Sequence, residues 1–508
     1  MNKKNIGILF LLFLFGQHSI GKTINHHLYY VTDFGAVGDS VTLNTSAIQS
    51  AINVCAKAGG GKVVLTAGTY LTGTILMKSN VELHLEHNAT LLGSTNHKDY
   101  SLQALPKYRS HKDQLGGFYA LIYAEGAENI AITGSGTIDG QGKYQMPRPN
   151  PVAGDIDGRP RNILFISCKN ILVEGIHLRN SGVWNQHYLN CEDVKIDKIS
   201  VYNHSNRNND GIDIDGCRQV VLSNSIIDSD DDGITLKSTG VAPCEDIVVS
   251  NCIVSSFCNA IKAGTESSGG FKNISISNCV IKPSKSKENP FFKTPKIGIT
   301  GLSLIIVDGG TMEGITVNNL SIHGTMAPIY IRLGNRARRY TAGISEPKVG
   351  KVQNISISNV VAYGAGSWGS SITGLPGFPV KNILLNNIQL FTKGGVSEGD
   401  FNEVVAEDAK GYPQPTIWKN LPAYGLYLRH IEGISINGLM LGVKNSDSRV
   451  SIVAEDVSNL QIKGCQLVGY TNSKPFVIGK LLKNFDIEKP LGWKGNENNI
   501  IVKKRERL

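Results

Sequence analysis

The strongest constraint on this chain is a phrase that recurs along it. An Asn, Asp, Gln or Gly is followed by Ile, Val or Leu alternating with polar residues, at Asn170, Asp193, Gln219, Asp246, Asn273, Gly314, Asn354, Asn382, Gly433 and Asn459. The successive steps are 23, 26, 27, 27, 41, 40, 28, 51 and 26 residues. A base period in the twenties with occasional long steps marks a solenoid whose loops grow on some coils. Short Ile/Val strands between Asn/Gly turns make it an all-β parallel β-helix rather than a helical repeat. The cysteines keep the same register. Cys168, Cys191, Cys217 and Cys244 each fall two residues before the reference position, and Cys252, Cys279 and Cys465 six after it. Residues in one phase stack, so these read as interior ladders of small side chains; the spacing of stacked neighbours also permits disulfides.

The N-terminal part differs. Lys3 and Lys4, an apolar run from Ile6 to Phe15 and then Ser19-Ile20-Gly21 fit a secretory signal over residues 1–21. The run is too short to span a bilayer, and no later segment is long enough, so no membrane anchor is expected and the mature protein is expected to be exported, periplasmic or secreted. The stretch 44–58 reads as a helix with Asn44 or Thr45 at its start, placed to cap the open end of the solenoid. Gly59 to Gly61 lack the order of a phosphate loop. Residues 22–508 therefore read as one domain. Its insertions cluster at 282–298, 334–351, 364–381 and 394–430, carrying the Pro, Gly, aromatic and basic residues of functional loops on a rigid scaffold.

Chemistry concentrates in Asn208-Asn209-Asp210-Gly211-Ile212-Asp213 and Ser229-Asp230-Asp231-Asp232-Gly233-Ile234, in which Asp210 and Asp232 are 22 positions apart. If that spacing is one coil, Asp210 stacks beside Asp231 and Asp232, because neighbouring strands lie ~4.8 Å apart. Crowded carboxyls push each other's pKa values apart, and one protonated beside one ionised is what glycosidic hydrolysis requires. Asp before Gly also makes turns, but three such residues at one coil phase exceed that need. The net charge of +9 suits an anionic polysaccharide at least as well as nucleic acid, and equally an unpartnered surface. No spaced Cys pair suggests zinc, and no metal or other cofactor is expected.

These residues, with Val31-Thr-Asp-Phe-Gly-Ala-Val-Gly-Asp, Gly134-Ser-Gly-Thr-Ile-Asp-Gly-Gln-Gly and Trp184 near His187, resemble family 28 of the glycoside hydrolases. That family comprises the polygalacturonases and rhamnogalacturonan hydrolases, of pectin-lyase-like fold. The resemblance implies a right-handed parallel β-helix and an acidic plant polysaccharide, pectin, as substrate. It also implies an inverting mechanism, with Asp231 as general acid and Asp210 with Asp232 activating water. An inverting pair stands ~6.5–9.5 Å apart, a retaining pair ~5 Å. The chain departs from the family where polygalacturonases carry Gly-His-Gly, which falls here on Cys258-Asn259-Ala260, and at their Arg-Ile-Lys, which falls at about Ser303-Leu304-Ile305. An exo-acting or rhamnogalacturonan-directed enzyme is therefore expected.

Strand alternation sends Asp213, Asp215, Thr235 and Lys237 outward, and the next coil aligns Lys262 with Thr235 and brings Glu266 close. Lys262 is expected either to hold a substrate carboxylate or to pair with Asp213 or Glu266. Asp215 with Lys237 reads as an outer-face ion pair, worth little. Arg332 and Arg336, in the densest basic cluster, match an acidic sugar bidentately. Glu266, Asn209, His187 and Tyr427 complete the expected substrate contacts, while Trp184, Trp418 and Tyr424 suit either sugar faces or core. Two other readings stay open: a lyase of the same fold, with the acidic cluster as Ca²⁺ ligands, and a non-catalytic glycan-binding solenoid.

Overall fold

In the computed structural model, which describes residues 28–111, 118–145, 158–286, 297–469, 474–495 and 500–503, the repeat resolves into stacked coils. The expected signal segment lies outside these residues. A regular coil carries three short strands, as in Ile212–Asp215, Arg218–Ser223 and Ile226–Ser229, each pairing in parallel with its counterpart one coil on. Among the described residues, 36 strands join one continuous parallel sheet wound into the solenoid. Thr45–Lys57 is the capping helix and buries Ile48, Ala51, Ile52 and Cys55, an i, i+3, i+4, i+7 stripe, against the first coils. Asn44 precedes it, but its side chain turns back to Val37, Oδ1 accepting from the Val37 amide at 2.7 Å.

The recurring phrase has a backbone cause. Every reference residue from Asn170 to Asn459 adopts a left-handed turn, with φ between +50° and +84°. Asn and Asp tolerate that region better than other side-chain-bearing residues, and Gly314 and Gly433 occupy it at no steric cost. The next residue then points inward on every coil. Ile171, Val194, Val220, Ile247, Ile274, Ile315, Ile355, Ile383, Ile434 and Leu460 pair in unbroken register and form a buried column. Each such side chain contributes about 1.5–3 kcal/mol on burial, so the column is a main source of stability. The turn asparagines stack as well, Asn170 donating to Asn129 at 2.8 Å and Asn251 to Asn224 at 3.2 Å.

The cysteines sit inside, as the register requires, and all nine are buried free thiols. The disulfide alternative is not realised: Cys217 Sγ instead accepts from the Cys191 amide at 3.3 Å. No helix among the described residues is long and apolar enough to cross a membrane.

Candidate active site

The site lies on the face built from Gln186–Leu189, Ile212–Asp215, Ile234–Ser238, Asn259–Ser267 and Gly298–Ile306. At its entry edge the register is tight. Asp232 O accepts from the Gly211 amide at 2.9 Å and Asn259 O from the Gly233 amide at 2.9 Å, so Asp210, Asp232 and Asn259 stack in one column. Glycine is needed after each aspartate, because a Cβ on Gly211 would meet Ile227 Cγ2 at 2.5 Å and one on Gly233 would meet Ala260 O at 2.5 Å. The expected juxtaposition of Asp210 with Asp231 and Asp232 is thus realised.

The three carboxyls differ in surroundings. Asp210 and Asp232 are buried, whereas Asp231 is partly open to solvent. Burial, then the charge of Asp232, pushes Asp231 up to about 6. Burial alone would raise Asp232 too, but the Lys262 ammonium overcomes it and holds that carboxyl below the usual range. Lys262 Nζ lies 2.7 Å from Asp232 Oδ2, and Asn259 Nδ2 donates to Oδ1 at 2.7 Å. Asp210 is pushed well up by burial and by Asp213 and Asp231, with Lys237 Nζ 3.7 Å away opposing the shift. Burial also moves two further carboxyls to about 7, Asp213 on the groove floor and Asp230 beside Asp231. With this many interacting acids, proton release belongs to the cluster as a whole.

Several expected partners change. Lys262 is neither a free grip nor paired to Asp213 or Glu266; it is committed to Asp232. Lys237 takes the other role, with Nζ 3.4 Å from Asp213 Oδ1 and 3.6 Å from Glu266 Oε2, and it sits 4.4 Å from the Trp184 ring centre. The expected Asp215–Lys237 pair is not formed, because Asp215 is already satisfied: His187 Nε2 stands 3.0 Å away, and the Thr239 amide and hydroxyl donate at 2.8 and 2.6 Å. His187 is therefore a fully buried partner of Asp215 rather than a sugar contact. Asn209 is also buried, its Nδ2 donating to Ser181 O and Val183 O at 3.0 Å each, which fixes the turn; its neighbour Asn208 is the one that reaches Asp231, at 3.5 Å. Tyr427 is buried, with its hydroxyl donating to Glu455 at 2.6 Å. Arg332 is buried against Trp418, not open to substrate.

Glu266 stays at the cluster, held by Lys237 and by Arg338 Nη1 at 3.4 Å, while Arg338 also pairs with Asp308 at 2.6 Å. Arg336 stands at the rim with a buried Nη1 that no acceptor satisfies, and its guanidinium lies 5.3 Å from the Tyr412 ring centre. Sequence reading missed Tyr412 and Gln414. They arrive from the long 395–422 segment: the Tyr412 ring is half exposed, and Gln414 Nε2 donates to Cys258 Sγ at 3.0 Å. Only the proximity of an insertion rich in aromatics hints at them.

Asp231, Asp232 and Cys258 bring one possible ligand atom each within 4.8 Å of one another. Both Asp232 oxygens are already hydrogen-bonded by Lys262 and Asn259, and burial keeps the Cys258 thiol protonated. The Lys262 ammonium 2.7 Å from Asp232 and the protonated thiol both disfavour a cation at this trio.

The family model described as glycosyl hydrolases family 28 matches residues 55–407. Over 220 residues the chain is 33% identical to a probable polygalacturonase of Vitis vinifera, covering 42% of this chain and 44% of the relative. Over 259 residues it is 27% identical to an exo-poly-alpha-D-galacturonosidase of Dickeya chrysanthemi, 42% of each. The chain spans less than half the length of these curated relatives. Among solved structures, it superposes on a hyperthermoactive exopolygalacturonase from Thermotoga maritima with a TM-score of 0.61 and 24% identity, covering 82% of this chain and 91% of that one. A family 28 exopolygalacturonase of Yersinia enterocolitica gives 0.60 and 20%, covering 91% and 79%. Both likenesses bear on the fold.

Proposed function

Because the chain belongs to glycosyl hydrolase family 28, we propose that it hydrolyses galacturonate-containing linkages of pectin by inverting acid–base catalysis. One observation carries the reading: of two adjacent carboxyls, Asp231 is pushed up to about 6 while Asp232 is held low by Lys262. A carboxyl kept protonated beside one kept ionised is the pair that glycosidic hydrolysis needs. Asp231, the most open of the three, donates its proton to the leaving glycosidic oxygen. Asp232, with Asp210 beside it, takes the proton of the attacking water. No step requires a cofactor.

An acidic sugar is supported by what remains uncommitted. Lys262, Lys237 and Arg338 are each paired to carboxylates of the chain, whereas Arg336 keeps an unsatisfied buried nitrogen at the rim. A guanidinium fork takes a uronate carboxylate bidentately, and the exposed Tyr412 ring beside it offers a sugar face. The basic excess suits an anionic polymer, and the leader-like N-terminus supports export to the periplasm or beyond.

Product analysis on homogalacturonan and on rhamnogalacturonan, with Asp231→Asn as control, tests the proposal. Saturated reducing sugar from either, abolished by the substitution, is the expected result. An unsaturated product absorbing in the ultraviolet would replace the hydrolase with a lyase, and binding without turnover would replace it with a lectin-like solenoid.

A further inference from the structure

Two of the residues expected to touch sugar do something else, and what they do bears on where the enzyme cuts. Residues 395–422 leave the strand Val380–Gly394, lie across the outer face of the sheet, and re-enter it at Ala423–Asn445. A loop this long costs little to close but gains nothing by being held still. Here its backbone is gripped carbonyl by carbonyl. Arg429 Nη1 donates to Val405 O at 2.6 Å and Nη2 to Ala406 O at 3.1 Å. Trp418 Nε1 donates to the same Ala406 O at 3.0 Å. Arg332 Nη2 donates to Glu407 O and Asp408 O, both at 2.8 Å, and the Asn335 amide to Ala409 O at 2.7 Å. Five consecutive carbonyls are thus satisfied. Arg332 and Arg429 occupy one row of the sheet, separated by Thr373, and their guanidinium carbons lie 4.6 and 5.7 Å from the Trp418 ring centre. Trp418 is wedged over Tyr330 and Tyr427, whose ring centres are 6.4 Å away.

The far end of the segment is fastened too. Four residues beyond Asp408, Tyr412 meets Arg336, and Gln414 bonds Cys258, the neighbour of Asn259 in the acid cluster. The segment therefore spans from the Arg332–Arg429 row back to the carboxyls. It occupies the groove floor on the side toward the chain's C-terminus, where an extended polysaccharide would otherwise continue.

We propose that residues 395–422 form a fixed end wall of the sugar groove, that Arg332 and Arg429 are the positioning residues that hold it, and that the wall confines cleavage to the terminal residues of an acidic chain. The inference rests on the hydrolase reading above and names what that reading leaves open. Neither arginine touches sugar; both act through the wall, which presents Tyr412, beside Arg336, to the terminal unit.

The test uses the full chain, its Arg332→Lys/Arg429→Lys double variant, and a third protein in which 398–414 is replaced by a short Gly/Ser linker with both arginines kept. Lysine retains the charge but loses the two-pronged grip. The readout is the viscosity drop of polygalacturonate per bond cleaved, a ratio that does not depend on how much protein is folded. The expected result is that wild type releases mono- or disaccharide from the first minutes with little viscosity loss. Both altered proteins should release longer oligomers and reach half viscosity after roughly tenfold fewer cleavages. Trypsin gives a second readout: Lys410 and Lys419 are exposed, yet the wall should resist cutting there in wild type and be nicked in the double variant. A wild type that already yields long oligomers, or one nicked as fast as the double variant, overturns the wall. So does a nicked double variant that still releases only terminal units. Absence of hydrolysis by wild type on either pectin backbone would instead overturn the hydrolase reading, and the wall with it.

Discussion

The strand Ile212–Asp215 is closed to solvent on both faces, and the two faces are built on opposite chemistry. Inside, Ile212 and Ile214 meet Ile234 and Leu236 one coil on, so their partners come from the next repeat. Outside, Asp215 is hydrogen-bonded by His187 and Thr239 while Asp213 has only the Lys237 ammonium 3.4 Å away, and the floor around them is roofed by segments far away in sequence, such as Arg338 and Tyr412. A strand buried on both sides usually reads as an unbroken apolar run. This one alternates, because its outer side is closed by polar groups: Asp215 held low by His187 and Thr239, and Asp213 pushed up to about 7 by burial beside the Lys237 ammonium. Apolar burial tolerates imperfect partners; buried charge does not.

Breaking the outer face should cost the most activity. Asp231→Asn removes the proton donor while keeping the shape, and kcat should fall by about 10³-fold with the thermal midpoint within a degree or two of wild type. A smaller loss would return Asp231 to a turn-forming role. Lys262→Met should strike both function and fold. It strips Asp232 of the charge that keeps it ionised, so kcat should drop by about 10²-fold, and removing one partner of a buried pair costs about 3–5 kcal/mol. The double variant Lys262→Met/Asp232→Asn should recover most of that stability and none of the activity; chemical denaturation measures the first and product release the second.

The inner face should answer differently. Leu236→Ala opens a cavity in the interior stack and should cost about 2–5 kcal/mol, while kcat per folded molecule stays within about twofold. A larger fall in kcat would mean that the two faces are mechanically coupled. Acidity separates them again. Asp231, Asp213 and Asp230 titrate at about 6, 7 and 7 in the fold against an ordinary 3.8. Between pH 4 and 7 the native state therefore holds more protons than the unfolded chain, so stability is greatest at the acid end and declines as pH rises through 6 to 7. Every tenfold difference in proton affinity between the folded and unfolded states is worth about 1.4 kcal/mol. Turnover should decline over the same rise, through about 6, as Asp231 loses its proton. A pH-independent denaturation midpoint across that range would remove the outer face's distinctive cost.

The same contrast explains what is legible in the sequence. The left-handed turn at each reference residue favours Asn, Asp or Gly, with Gln219 the exception, and the residue after it must point inward, so coil register, cysteine phase and the stacking of Asp210 on Asp232 can all be read from local spacing. Spacing also places Lys262 correctly opposite Thr235, since register is local. It does not disclose the bond to Asp232, because a lysine's reach crosses several register positions. Asp215 reads as exposed because alternation reports which face a residue takes, not whether a distant loop covers that face. Arg332 reads as a sugar grip because nothing in its own coil reveals that residues 407 and 408 return to lie on it.

The smallest expected effect sharpens that last point. Tyr427 shares a row with Ser303, Tyr330 and Ser371, which continues the row of Lys262, so by register alone it should serve the groove. It lies instead beneath Trp418, its ring centre 6.4 Å away, with its hydroxyl given to Glu455. Tyr427→Phe removes one hydrogen bond to a carboxylate and leaves the ring packing, which should cost about 1–3 kcal/mol. Steady-state kinetics on oligogalacturonate should show KM within about twofold of wild type. If KM rose tenfold with stability unchanged, the hydroxyl would be meeting sugar, and the covered half of the groove would have to be open in solution.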